Sequence, residues 1–437
     1  MSARKVISLY TGAGGLDLGL EAAGFDLAAA VEMEATAVRT LRTNREWNVI
    51  DRDIQTVSTA EILESAGLRE GDADLLAGGP PCQPFSKSGY WHSGDSLRLH
   101  DPRAATLAEY LRVLKDAKPK VFLLENVPGL AFSEKDEGLE SVRRTIDSIN
   151  REVGTRYSFF AAQLNAVQHG VPQTRERVFV VGHRDGADFE FPKPTHRRPV
   201  RTNMTNGGLQ QELWVEELDP EDGLEAPRTA WDAIGTVHRR GNGGYDPDTD
   251  PELQPRGRWA GLLKSIPEGH NYLYFTSRGG GSYNLFGWRR HFWSFLLKLA
   301  KNRPAWTLTA QPGPAIGPFH WNSRRLSSAE LCALQTVPKG YHVVGDAMDA
   351  HRQLGNAVPS ALAELLGLQI RRTLLGDLKA NPWKLTLIPK KARRAPPPEE
   401  PAPVTDERYL ALHGFHSAHP GTGMGRGAQA RPEAERV

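Results

Sequence analysis

Val6-Ile7-Ser8-Leu9-Tyr10-Thr11-Gly12-Ala13-Gly14-Gly15 decides the fold. Its first half reads as a strand, and the strand empties straight into a glycine turn. Residues 16–23 then read as a helix stopped by Gly24. Strand, glycine turn and helix hold nucleotide-like cofactors at the edge of a parallel sheet, because glycines let the backbone come close to a ligand. Glycine turns are common, so the neighbouring elements must decide. The next strand, 27–31, ends in Glu32, twenty positions after Gly12 (32 − 12). A carboxylate at that distance, on the tip of a second strand, can accept hydrogen bonds from two ribose hydroxyls. The alternative for Glu32 is a solvated surface carboxylate, and the spacing favours the ribose. Asp53-Ile54 follows a third strand, within reach of an adenine amino group.

Farther along, a helix near residues 60–66 leads to Asp74-Leu75-Leu76-Ala77-Gly78-Gly79-Pro80-Pro81-Cys82-Gln83-Pro84-Phe85-Ser86. This reads as a short buried strand, then a stiff loop that continues as neither helix nor strand. A thiol on such a loop is well placed to be a nucleophile, whereas a lone cysteine is more often a small buried apolar residue. Residues 89–100 are polar, carry Tyr90 and Trp91, and look like a mobile active-site loop. After a helix over 101–114, a fifth strand, 120–124, ends in Glu125-Asn126-Val127-Pro128-Gly129, on the same sheet edge as Cys82. A helix over about 139–151 follows. Two more strands then flank Gln173-Thr174-Arg175-Glu176-Arg177. Alternation puts both arginines on one face of a strand, where they need anions or acceptors; a surface salt-bridge pair is the alternative.

The chain has 437 residues and a formal net charge of +2, enough for two folded domains and a tail. Two cysteines, Cys82 and Cys332, make no disulfide framework and suit a reducing compartment. The apolar strand after Lys5 is too short for a signal-peptide core, and no apolar run would cross a bilayer. A soluble, cytoplasmic monomer is expected. From about residue 185 the strand–helix alternation stops. An acidic patch, 212–225, precedes a stretch, 256–303, with nine Lys or Arg against one acid, Glu268. Aromatic residues interleave there, which suits a phosphate-lined partner, although a small core needs aromatics too. Arg325-Leu326-Ser327-Ser328-Ala329-Glu330 opens a capped helix ending near Val337, and Gly355-Asn356-Ala357-Val358-Pro359 precedes a last helix over 361–374. Beyond Gly376 the composition, rich in Pro, Ala, Arg and Glu, predicts a largely disordered tail. His413, His416 and His419 lie three apart without cysteine or a rigid frame, so no metal is expected.

In this order and spacing, the blocks from Val6 to Arg372 resemble those of DNA (cytosine-5)-methyltransferases of the bacterial modification type. The glycine turn resembles that family's S-adenosylmethionine loop, with Tyr10 where Phe is usual. Gly79-Pro80-Pro81-Cys82-Gln83 resembles the nucleophile loop, and Glu125-Asn126-Val127 the catalytic Glu-Asn-Val. Residues 173–177 match the Gln-x-Arg-x-Arg block. Arg325-Leu326 with Glu330 and Leu334-Gln335 matches the block that props the recognition domain, and Gly355 to Pro359 the block that folds back onto the cofactor.

The resemblance implies an α/β fold: a Rossmann-like methyltransferase sheet with helices on both faces, plus a smaller irregular target recognition domain. The implied boundaries are 1–184, 185–345, a returning segment 346–375, and the tail 376–437. It implies S-adenosylmethionine held by Tyr10, Thr11, Gly12, Gly14, Gly15, Leu16, Glu32, Met33, Asp53, Ile54, Pro80, Asn356, Ala357 and Val358. Cys82 would add to carbon 6 of cytosine, and Glu125 would hold and protonate ring N3. Arg175 would steady the base through its carbonyl oxygen, and Arg177 would support the thiol loop. Double-stranded DNA would be the partner, touched by Ser86, Arg289 and Arg290, with the modification half of a restriction-modification system as the implied role. Among rivals, an amino-directed methyltransferase needs Asp or Asn, two prolines and an aromatic residue where Gly79 to Cys82 stand. A transfer RNA relative carries Cys-Phe-Thr, and neither cysteine here precedes Phe. A catalytically dead DNA-binding relative would not be expected to keep Cys82, Glu125, Arg175 and Arg177 together.

Overall fold

A computed structural model describes residues 4–81, 105–130, 137–203, 212–215, 223–238, 245–276, 279–286, 292–310 and 313–414. The strands in chain order are β1 (Arg4–Leu9), β2 (Phe25–Glu32), β3 (Val49–Asp51), β4 (Leu75–Gly78), β5 (Val121–Asn126), β6 (Phe160–Asn165), the two-residue β7 (Gln173–Thr174) and β8 (Glu176–His183). Seven of them form one sheet in the order β3-β2-β1-β4-β5-β8-β6. β8 runs antiparallel to both its neighbours, while the pairs from β3 through to β5 are parallel. Every residue of β4 and β5 is buried, which is why they read as unbroken apolar runs rather than alternating ones. Strand order reverses between β1 and β4. In open α/β sheets that is where a crevice opens beyond the carboxyl ends of the strands.

Side chains alternate across the sheet. Val6, Leu75 and Val121 face one cluster, while Ile7, Leu76 and Phe122 face the other. Along the chain come α1 (Gly15–Ala22), α2 (Ala35–Asn44), α3 (Thr59–Ala66), α4 (Ala105–Ala117), α5 (Glu137–Val153), α6 (Ala230–Ile234), α7 (Ser328–Leu334), α8 (Ala347–Asn356), α9 (Ser360–Thr373) and α10 (Glu407–Leu410). Helices α1 and α9 cover the first face through Leu16, Leu20, Leu362 and Leu366. Helices α3, α4 and α5 cover the other through Ile62, Tyr110, Leu114 and Ile146. The α1–α9 contact is backbone-close: a Cβ on Gly19 would stand 2.2 Å from the Ser360 carbonyl oxygen.

After His183 regular structure thins. An antiparallel pair, β9 (Val200–Asn203) and β10 (Glu212–Val215), is followed by α6 and by β11 (Ala305–Trp306), which pairs in parallel with β7. Ser327 caps α7 in a reciprocal box with Glu330; the helix stops at Leu334, short of the expected end near Val337. Leu262, Tyr272, Phe275, Phe286, Phe295 and Phe319 build a separate aromatic core in this region. Two of the expected outward bases turn inward. The buried Lys298 Nζ donates to the Ile266 carbonyl at 2.8 Å, and the buried Lys301 pairs with Glu268.

The expectation of a largely disordered tail does not hold for its first part. Between residues 376 and 414, Ala380, Val404 and Tyr409 are buried, and Leu385, Leu387 and Ile388 pack on the sheet's helix layer. Composition misled because these few apolar residues fill gaps in cores built elsewhere. The His413 ring accepts the Asn284 N–H at 3.0 Å; His416 and His419 lie outside the described residues. Among the described residues no helix is long and apolar enough to cross a membrane.

Candidate active site

The glycine turn is held from behind and open in front. Tyr10, Gly12 and Gly14 have φ of 57°, 55° and 78°, the left-handed region that makes the turn tight. The Tyr10 and Thr11 N–H groups both donate to the Val31 carbonyl, and the Tyr10 hydroxyl donates to the Thr106 carbonyl at 2.6 Å. A Cβ on Gly14 would press on Leu41, the Tyr341 hydroxyl and Trp47. One on Gly15 would stand 2.5 Å from the Val358 carbonyl oxygen. The block around Ala357 and Val358 therefore backs the turn, and the Ser360 hydroxyl fastens it by donating to the Gly15 carbonyl at 2.9 Å. Gly12 has nothing within 4 Å of where its Cβ would be. Tyr341 donates to the Ala13 carbonyl at 2.9 Å. Neither Tyr341 nor Trp47 stood out in the sequence, because single aromatics outside a motif carry no signal.

Glu32 reaches the turn. Its Oε2 accepts the Gly12 N–H at 2.6 Å, and its Oε1 accepts from Met33 and Glu34 at 3.0 and 2.8 Å. Burial pushes its pKa up, against the pull of those N–H groups. Two carboxylate oxygens have more acceptor capacity than three donors use. Met33 is 64% exposed and Asn356 is exposed, whereas Leu16, Ile54 and Val358 are buried in the cores and could offer a ligand only backbone. Asp53 caps the turn after β3 through the Gln55 N–H. Burial, then the charges of Glu109 and Asp53, push the Tyr10 pKa up. Asp17, in the first turn of α1, is 1% exposed, and neither oxygen makes a hydrogen bond of normal geometry among the described residues. Burial drives its pKa up to about 7 against the pull of nearby Ser8.

A second cluster forms at the ends of β4 and β5. A Cβ on Gly79 would stand 2.7 Å from Glu125 Oε2, so the chain leaving β4 passes directly over that carboxylate. Asn126 Nδ2 donates to the Pro80 carbonyl at 3.3 Å, and the Thr106 hydroxyl to the Pro81 carbonyl at 3.2 Å. Glu125 is buried, and its Oε1 lies 2.9 Å from Arg177 Nε. Burial raises the Glu125 pKa, while Arg177 and then Arg175 oppose the rise.

The two arginines divide differently from expectation. Arg175 falls between β7 and β8 rather than within one strand. It is 0% exposed and donates to the carbonyls of Leu308 at 3.1 Å and Gly355 at 2.7 Å. Arg177 is the one that pairs with Glu125. Nearby Gln173, also 0% exposed, donates to Gln335 Oε1 and accepts the Leu308 N–H. Arg324, not Arg325, forms the paired bonds to Glu330, at 2.7 and 2.8 Å. Cys82, Ser86, the 89–100 loop, Arg289 and Arg290 lie outside the described residues. Cys332 is buried in α7, and burial pushes its thiol up to about 12.

A family model for C-5 cytosine-specific DNA methylases matches residues 4–372. The Type II methyltransferase M.SacI of Streptomyces achromogenes is 36% identical over 410 residues, which cover 89% of this chain and 96% of that protein. M.AquIA, a Type II methyltransferase of Picosynechococcus, is 40% identical over 237 residues, 54% of this chain and 89% of its own. Among solved structures, a mutant of Spodoptera frugiperda DNMT2 superposes with a TM-score of 0.52 at 18% identity, over 85% of this chain and 100% of that one. That likeness speaks for the fold.

Proposed function

This chain belongs to the C-5 cytosine-specific DNA methylase family, and from that premise we propose that it methylates carbon 5 of cytosine in a specific duplex sequence through a covalent Cys82–cytosine intermediate. The enzyme is a DNA (cytosine-5)-methyltransferase. Service as the modification half of a restriction-modification system is part of the proposal. The observation that carries it is the crossing of the Gly79 backbone over the buried Glu125–Arg177 pair. That crossing sets the chain just ahead of Cys82 against a carboxyl group at the carboxyl end of β5.

S-Adenosylmethionine, when bound, supplies an electrophilic methyl group. The residues present fit it: nothing stands within 4 Å of where a Gly12 Cβ would be, and Glu32 keeps spare acceptors for ribose hydroxyls. Carbon 5 of cytosine is a poor nucleophile until a thiolate adds to carbon 6, and Cys82 provides that thiolate. Glu125 donates a proton to N3 as charge builds there; burial favours its neutral form against the pull of Arg177 and then Arg175. Arg177, 2.9 Å from Glu125 Oε1, orients that carboxyl group. Arg175, fully buried with two carbonyl partners, positions the backbone around it. The base must leave the helix to reach this edge, at roughly a few kcal/mol.

The test is transfer of labelled methyl groups to duplex DNA, followed by nucleoside analysis. Label in 5-methylcytosine at a single recurring sequence is the expected outcome. Label in N4-methylcytosine or N6-methyladenine, or label in RNA alone, would overturn the reading.

A further inference from the structure

The chain beyond Arg372 lies outside the part that matches the family model, yet it runs from the sheet's helix layer into the recognition lobe. Its first anchor is Glu364 of α9, 1% exposed. One Glu364 oxygen accepts both the N–H and the hydroxyl of Thr386, at 2.7 and 2.6 Å, and the other accepts the Leu387 N–H at 3.0 Å. Next to them Ile388 packs beside Gly170. The chain then touches α6: the Ala392 N–H donates to Asp232 at 2.7 Å, and the Trp231 ring N–H donates to the Arg393 carbonyl at 3.0 Å. The second anchor is Tyr409. It is 3% exposed, stacks on Trp259 with ring centroids 6.1 Å apart, and donates to the Arg258 carbonyl at 2.6 Å. A Cβ on Gly261 would crowd its hydroxyl at 3.1 Å and its ring at 3.2 Å. Val404 and Tyr409 thus complete an aromatic core otherwise drawn from residues 262–319.

Between the anchors lie six prolines, Pro389, Pro396, Pro397, Pro398, Pro401 and Pro403. Proline-dense chain is extended and semi-rigid, at about 3.1 Å per residue. A stiff link docked at both ends transmits position, where a flexible one would only limit distance.

We propose that residues 386–409 form a brace that sets the recognition lobe against the catalytic edge, with Glu364 and Tyr409 as positioning residues for DNA engagement. The inference rests on the DNA reading above. A duplex must be held by the recognition lobe while its target base enters the sheet edge, so the spacing of the two bodies governs how well both contacts form together.

Cutting the brace without removing its docked ends tests this. A protease-recognition sequence inserted after Pro398, in an exposed stretch, is cleaved in the purified full chain. The expected result is a KM for target DNA raised on the order of tenfold, with S-adenosylmethionine affinity, melting temperature and kcat at saturating DNA little changed. Tyr409→Ala should shift the same KM in the same direction. An unchanged KM in both would overturn the brace. So would a loss of cofactor affinity in step with DNA affinity, since that marks a general support of the fold. If the uncut parent fails to methylate DNA, it is the functional reading that falls.

Discussion

The edge of the seven-stranded sheet and the lobe that follows His183 are built on opposite plans. At the edge, parallel strands end side by side, and Gly12, Glu32, Gly79 and Glu125 all stand at their carboxyl ends. In the lobe few strands or helices form, and shape comes from aromatic packing closed by a distant segment through Tyr409. Where regular structure fixes position, a residue's chemistry can be inferred from its place in a motif. Where packing fixes it, the same residue types can serve the core or the surface.

The contrast predicts effects of different size and kind. The largest belongs to the edge. Glu125→Gln keeps the shape but not the proton, so kcat should drop by about 10²–10⁴-fold with cofactor affinity intact. Near-parent turnover would take Glu125 out of the chemistry. Next comes Glu32→Ala, which removes the ribose acceptors and strips partners from the N–H groups of Gly12, Met33 and Glu34. S-Adenosylmethionine should bind about 10–100-fold more weakly by calorimetry, while parent-like binding would place the cofactor elsewhere.

In the lobe, single changes should be weaker and sensitive to salt. Neutralising Arg289 and Arg290 together should lower the slope of log K against log salt by about two, and an unchanged slope would move the DNA surface. The smallest effect is in the pH dependence of stability. Asp17 has a folded pKa near 7, above the ordinary carboxylate value, so the folded state holds a proton that the unfolded chain has already lost. Its contribution to stability therefore falls as pH rises from about 4 to about 7 and is flat beyond. Asp17→Asn should melt higher relative to the parent at pH ~8 than at pH ~4. A constant difference across that range would mean that Asp17 is ionised in the fold.

Much of the sheet edge was legible because its signals are local. A glycine turn after an apolar strand, and an acid at the tip of the next, are dictated by backbone sterics within some twenty residues. The division of labour between Arg175 and Arg177 was not. Strand alternation predicted a shared face, but the ladder breaks at Arg175, whose partners at Leu308 and Gly355 lie far along the chain. Charge counting failed in the lobe for the same reason: Lys298 and Lys301 look like outward bases until Ile266 and Glu268 are seen beside them. The tail was misread because disorder was inferred from average composition. A few apolar side chains that fit a gap made elsewhere are enough to dock a proline-rich strand.

The central claim is that the loop crossing Glu125 carries the nucleophile, and one trapping experiment tests it most directly. If Cys82 adds to carbon 6, release of the product needs a proton to leave carbon 5, and fluorine cannot leave that way. Duplex DNA with 5-fluorocytosine at the target should therefore stay attached to the enzyme when S-adenosylmethionine is present. The adduct should survive denaturing electrophoresis and map to Cys82. Cys82→Ser should form none, and Cys332→Ala, which alters only a buried, protonated thiol, should form it normally. A parent enzyme that methylates cytosine without an adduct, or a Cys82→Ser variant that still turns over, would contradict the account.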